Sequence, residues 1–218
     1  MGNEPQHAPL QSETADILNA AVDEMITLLD SMRHLVRELR QAAVLCISSI
    51  DDGHKLLVCG NGGSASEAQH LVGELIGRYK DNRIALPAIS MTADSTVLTC
   101  IANDFCFDDV FARQIQALGK PGDVLIVFST SGRARNVVEA LRAARTLHLS
   151  SIAFLGHDGG LAAPLADCAL IIPHTSTARI QEGHQVLMHS MMDLIEGSLT
   201  HVSRQREKKA RFKSPVIR

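Results

Sequence analysis

Tryptophan is absent from this chain, and one tyrosine and six phenylalanines are the whole aromatic complement of its 218 residues. Base-stacking platforms need aromatic rings, so a nucleic-acid partner is not expected. A charge excess of one sign is lacking too. Twenty-one Lys and Arg stand against 24 Asp and Glu, a net of −3 that would not draw in DNA or an acidic membrane. No apolar run reaches bilayer length, and the first residues show no basic region followed by an apolar one. A membrane partner is therefore not expected, and the cytoplasm is the expected location. Cys46, Cys59, Cys100, Cys106 and Cys168 are odd in number and show no C-x-x-C spacing. They read as buried thiols in a reducing compartment. The dinucleotide fingerprint G-x-G-x-x-G and the Walker loop G-x-x-x-x-G-K-[ST] are both missing.

What remains is a chain with 45% hydrophobic residues, enough for one domain with a substantial core. Residues 1–11 read as a flexible leader. From Ser12 to Ile50 apolar residues recur every three or four positions, which predicts one long helix or two in tandem. The apolar stripe is wide, and subunit assembly is its natural use. After residue 54 short apolar runs alternate with helical patterns. Strands are expected at 54–59, 86–91, 123–129, 150–155 and 168–172, and helices at 64–78, 95–102, 108–118, 134–147, 160–166 and 178–199. Strands separated by helices imply an α/β fold with a parallel sheet covered on both faces, and ligands at the carboxyl ends of the strands. Residues 201–218 carry seven Lys or Arg and one acid without periodicity; they read as a solvated or disordered tail, or alternatively as a partner-binding arm.

Two loops fall at such carboxyl ends. The first, Cys59-Gly60-Asn61-Gly62-Gly63-Ser64, joins an apolar strand to a helix. It is either a tight turn or a place where a ligand meets free helix N–H groups, where an anion fits best. On the helix that follows, His70 and Glu74 are four residues apart and share one face. They form a solvated i,i+4 pair or half of a metal site. The second loop, Ser129-Thr130-Ser131-Gly132, offers three consecutive hydroxyls before a helix start. One hydroxyl suffices for a helix cap; three make a phosphate cradle that needs no lysine. On the last helix Gln181 and His189 differ by about 80° and can line one side two turns apart, with His184 and Gln185 as alternatives. Met188, Met191, Met192, Leu194 and Ile195 are expected to supply its buried stripe.

The segments just quoted, with Ala68-Gln69-His70, Glu74-Leu75, Arg78-Tyr79, Asn103-Asp104, Gly122-Asp123-Val124-Leu125, Asp158-Gly159-Gly160 and Thr177-Ala178-Arg179-Ile180-Gln181-Glu182, run in one order from about residue 12 to 199. Together they resemble the sugar isomerase (SIS) domain family, specifically its bacterial phosphoheptose isomerases. The resemblance implies a three-layer αβα sandwich, with a five-stranded parallel sheet and a long N-terminal helical segment, as a single domain over residues 12–200. It implies a homotetramer with active sites between subunits, and conversion of D-sedoheptulose 7-phosphate to D-glycero-D-manno-heptose 7-phosphate for lipopolysaccharide heptose. It implies one zinc ion per subunit held by His70, Glu74, Gln181 and His189. Asn61, Gly62, Gly63, Ser64, Glu74, Asn103, Asp104, Ser129, Thr130, Ser131 and Gln181 fall on substrate-contacting positions.

That chemistry suits the side chains. Aldose–ketose isomerisation needs a base for a carbon-bound proton and an acid for oxygen, and Glu74 and His189 are the expected pair. Two other readings differ in class. Related non-catalytic tetramers bind the replication initiator DnaA and share Thr-Ala-Arg-Ile-Gln-Glu, but Glu74 and His189 together favour the enzyme. The other is an isomerase for a different sugar phosphate. It is motivated by Ala134, which stands where the family places a serine of the phosphate loop. Arg133 and Arg135 flank it, either as replacement phosphate ligands or as solvated surface residues.

Overall fold

The computed structural model describes the backbone of residues 8–213 and the side chains of residues 13–199. Two helices, α1 (Ala8–Ser31) and α2 (Val36–Asp51), open the chain, separated by a 3-10 turn at Met32–Leu35. The tandem form of the expected helical segment is thus the one adopted. Strands β1 (Leu56–Gly60), β2 (Ala88–Ser90), β3 (Val124–Ser129), β4 (Ser150–Gly156) and β5 (Cys168–Ile172) then alternate with α3 (Gly63–Ile76), α4 (Ser95–Asp104), α5 (Ala112–Leu118) and α6 (Arg135–Thr146). Helix α7 (Thr177–Lys213) follows the last strand.

The sheet is parallel throughout, in the order β2-β1-β3-β4-β5. Chain direction across the sheet therefore reverses between β1 and β3. The loops after these two strands diverge and leave a crevice, where ligands of such sheets bind. Strand alternation builds two cores. Leu56, Val58, Ile126 and Phe128 face a layer made by α1, α2, α3 and α7. Leu57, Cys59, Leu125 and Val127 face α4, α5 and α6.

Several elements differ from expectation. No α-helix forms over 160–166; only a 3-10 turn at Ala163–Leu165 does, because Gly159 and Gly160 adopt positive φ and Pro164 follows. The helix expected at 108–118 is a 3-10 turn at Phe107–Asp109 followed by α5. Helix α1 already includes residues 8–11 of the expected leader, and α7 continues into the expected tail. Residues 1–7 and 214–218 of those two segments lie outside the described ones. The methionine stripe of α7 is buried as expected except at Leu194, which is 43% exposed. The cysteines are not uniformly buried. Cys46, Cys59 and Cys168 are, and desolvation, with the neighbouring Cys168 thiol, pushes the Cys46 thiol up to about 12. Cys100 and Cys106 are exposed, their S–H groups on the carboxylates of Asp104 and Asp109.

One buried ion pair joins the two helices that matter most below. Glu196 of α7 accepts the N–H groups of Lys80 and Asp81 at 2.9 Å and the Arg83 Nε at 2.8 Å. Arg83 in turn caps the end of α3, donating to the carbonyls of Leu75 (2.8 Å) and Glu74 (2.6 Å). Burial alone would raise the Glu196 carboxyl, but these donors outweigh it and hold it below the usual range. A depressed folded-state pKa gives stability that is present above the unfolded value and lost as pH falls through the folded one. Glu196→Gln should therefore flatten the acid limb of a stability-versus-pH curve. Glu196→Ala, which leaves the Arg83 guanidinium buried and unpaired, should cost roughly 3 kcal/mol in urea unfolding at pH 7. A loss within experimental error would show that the pair contributes nothing.

Candidate active site

Helix α3 runs beside α7 in the same direction. Gly63, Glu67, His70 and Glu74 lie within about 60° of one another around α3 and form one stripe. Along α7 the facing residues are Gln181, His184 and His189. At the foot of the seam the Gln181 amide fills the space where a Cβ on Gly63 would sit: Nε2 would be 2.2 Å from it. Glycine there is what lets Gln181 approach. In the middle, the Nδ1 of His184 stands 3.6 Å from Glu67 Oε2. At the head, His70 Nε2 is 3.1 Å from Glu74 Oε1, and the His70 and His189 rings meet edge to face at 5.2 Å. Tyr79 stacks on the His189 ring, centroids 5.7 Å apart.

His70, Glu74 and His189 each place one ligand atom within 4.8 Å of the others. Ligands about 2.1 Å from a tetrahedral zinc stand about 3.4 Å apart, so these three need only small rotamer shifts to share one ion. Among the described residues the second carboxylate oxygen of Glu74 is buried without a hydrogen-bond partner, which also fits a cation-binding role. Three of the four expected metal ligands are thus together. Gln181, the fourth, is on the same seam, against Gly63.

The two strand-end loops are tied at the crevice. Asn61 Nδ2 donates to Asn136 Oδ1, and Asn136 Nδ2 donates back to Asn61 Oδ1, both at 2.8 Å. Asn136, at the start of α6, is a member of the site that the sequence motifs do not point to. Ser64 is buried in the first turn of α3, its N–H on the Asn61 carbonyl. In the hydroxyl loop Ser129 Oγ accepts from Gly132 N (3.1 Å) and Ser131 Oγ accepts from Arg133 N (3.2 Å). Two backbone donors are thereby used within the loop, while both hydroxyl protons stay available to an anion. Gly132 has φ 61°, and a Cβ there would lie 2.1 Å from the Gly159 carbonyl, so the loop locks onto Gly159-Gly160. Ala134 is the N-cap of α6 and makes no side-chain cap bond.

Both flanking arginines have acidic partners. Arg133 donates to Asp158 at 2.7 Å, and Arg135 is 3.7 Å from Asp108. The Gly160 N–H given to Asp158, with Arg133 beside it, holds the exposed Asp158 carboxyl below its ordinary value. The Arg133–Asp158 pair forms one wall of a cleft of about 540 Å³ that also takes in Ser131, His157 and His174. Asn103 and Asp104 are exposed at the end of α4 and bonded to each other at 2.8 Å. Among the described residues neither bonds to the two loops.

The model of the SIS domain family matches residues 22–156. A phosphoheptose isomerase of Helicobacter pylori (strain P12) is 47% identical over 171 residues, 78% of this chain and 89% of its own length. That of Chromohalobacter salexigens is 41% identical over 192 residues, 87% of this chain and 96% of its own. The solved phosphoheptose isomerase GmhA from Neisseria gonorrhoeae superposes with a TM-score of 0.79 at 42% identity, over 86% of this chain and 99% of that one. A Francisella tularensis phosphoheptose isomerase gives 0.81 at 34%, over 84% and 97%. In motif order, in fold and in identity over most of its length, the chain belongs to the SIS-domain family, among its phosphoheptose isomerases.

Proposed function

We propose that this chain converts D-sedoheptulose 7-phosphate to D-glycero-D-manno-heptose 7-phosphate through an enediol, supplying heptose for lipopolysaccharide synthesis. The observation that carries this reading is the meeting of His70, Glu74 and His189 at the head of the α3–α7 seam. The hydroxyl loop supports it, joined through Asn136 to the glycine loop.

The phosphate sits over the hydroxyls of Ser129, Thr130 and Ser131, close to the start of α6, where the helix dipole favours an anion. Asn61, Gly62, Gly63 and Ser64 form the facing wall, and Gln181 and Asn103-Asp104 contact the sugar. Glu74 takes the proton from C1 of the ketose and returns it to C2 of the enediol. Its Oε1 is oriented by His70 at 3.1 Å. His189, in ring contact with both His70 and Tyr79, delivers and recovers the proton on oxygen. Zinc, held by His70, Glu74, His189 and Gln181, supplies Lewis acidity at the sugar oxygens when bound.

Exposed apolar residues on α1, among them Ile17, Leu18, Val22 and Ile26, support assembly as a homotetramer. The exposure of Asn103 and Asp104 supports a site completed between subunits. No helix among the described residues is long and apolar enough to cross a membrane. With the cysteines free, that supports a cytoplasmic location.

Incubation of the protein with sedoheptulose 7-phosphate, with and without a chelator, should show the heptose 7-phosphate by NMR, and much less of it once metal is removed. No product in either tube sinks the assignment. Glu74→Gln and His189→Ala should each lower kcat by roughly a hundredfold while circular dichroism stays unchanged. A variant that keeps near-normal turnover takes its residue out of the mechanism. Because Ala134 leaves α6 uncapped, Ala134→Ser should raise stability by about 1 kcal/mol and lower KM for the same substrate. An unchanged KM would mean that the phosphate does not reach the start of α6.

A further inference from the structure

The middle of the α3–α7 seam holds a carboxylate and an imidazole that the proposed chemistry does not use. Glu67 is 3% exposed and His184 is fully buried. His184 is wedged edge to face against Phe128 and Phe154, at 5.9 and 6.1 Å, so the sheet side of its pocket is apolar. Its Nδ1 faces Glu67 Oε2 at 3.6 Å, and among the described residues neither side chain has a hydrogen-bond partner. Four polar atoms are buried at one point, each costing on the order of 1–3 kcal/mol if left unmatched. Of these atoms Nδ1 and Oε2 face each other, and that approach offsets part of the cost.

The position of the pair gives it a use. Glu67 is one turn before His70 on α3, and His184 is between Gln181 and His189 on α7. Apolar packing between two parallel helices distinguishes poorly between registers one turn apart. A buried polar pair distinguishes sharply, because sliding either helix by a turn leaves both groups in hydrocarbon. The register in which Glu67 meets His184 is also the one in which His70 and Glu74 meet His189. We propose that Glu67 and His184 are positioning residues: a buried pair that fixes the register of α3 against α7 and thereby assembles the His70–Glu74–His189 group above it. Only the effect on turnover rests on the function proposed above; the effect on register does not.

The test compares Glu67→Leu, His184→Leu and the double variant. Each single change strands the other polar group and should lower Tm, whereas the double change removes both and should restore Tm to about the wild-type value. Register is read separately, from the upfield ring-current shift that Tyr79 imposes on the His189 ring protons in NMR. In the double variant that shift should collapse. With it kcat should fall at least tenfold while KM stays within about threefold, as expected when reacting groups are misplaced by an ångström or so. A double variant that keeps both the His189 shift and its kcat overturns the proposal. So does one that loses kcat with the shift unmoved, since the pair would then act by some means other than register. Wild-type protein inactive on sedoheptulose 7-phosphate would count against the proposed function, and the His189 shift would still decide the role of the pair.

Discussion

The close, parallel contact of α3 with α7 is what the site depends on. A strand-to-helix loop can present a phosphate cradle on its own, because the donors belong to one stretch of chain. The imidazoles and the carboxylate are different. His70 and Glu74 come from α3 and His189 from a helix more than a hundred residues later. Their convergence is a tertiary event, and its tightness is set at Gly63, where the absence of a side chain admits the Gln181 amide. From there the two helices stay in contact over two turns, through a buried middle to a solvent-accessible head. Burial thus grades along one seam, and the groups expected to do chemistry are at the open end.

The loops proposed to hold the phosphate obey a separate constraint, the reversal of chain direction between β1 and β3. The two would splay apart if left to themselves. The paired amides of Asn61 and Asn136 close that gap with two hydrogen bonds of equal length. Gly132 anchors the other side of the hydroxyl loop on Gly159. The loop is therefore held at both flanks, and Arg133 strengthens the second flank through Asp158. This arrangement gives Arg133 a task within the loop and weakens the idea that it stands in for a missing phosphate-binding hydroxyl.

Much of this was legible in the sequence because the signals were local. Apolar runs of five to seven residues between helical patterns gave the strands, and the hydroxyl triplet and the His70–Glu74 spacing each named a face or a loop. The failures were also local in cause. At 160–166 an apolar, alanine-rich stretch carried helix propensity, but two glycines at positive φ and Pro164 limit it to a single turn. Cys100 and Cys106 were read as buried from residue type alone, whereas the outward face of α4 and the loop after it decides their exposure. Asn136, Glu67 and Arg83 went unread for another reason. Each acts through a partner 75, 117 or 113 positions away, so no window of sequence contains the pair.

The connection at residues 79–83 bears on how this fold can change. A polar surface stretch after a helix is the usual place for a chain to accept extra residues, since little is bonded there. Here Tyr79 lies on the His189 ring, the next two N–H groups are given to Glu196, and Arg83 reaches back to the carbonyl of Glu74. Four of these five positions thus splint the end of α3 to the middle of α7, with the proposed proton acceptor on one and its imidazole partner on the other. An insertion of even one residue would break the spacing between ring, amides and guanidinium. In this protein, length variation and affinity tags belong elsewhere, in spite of how ordinary that loop looks from outside.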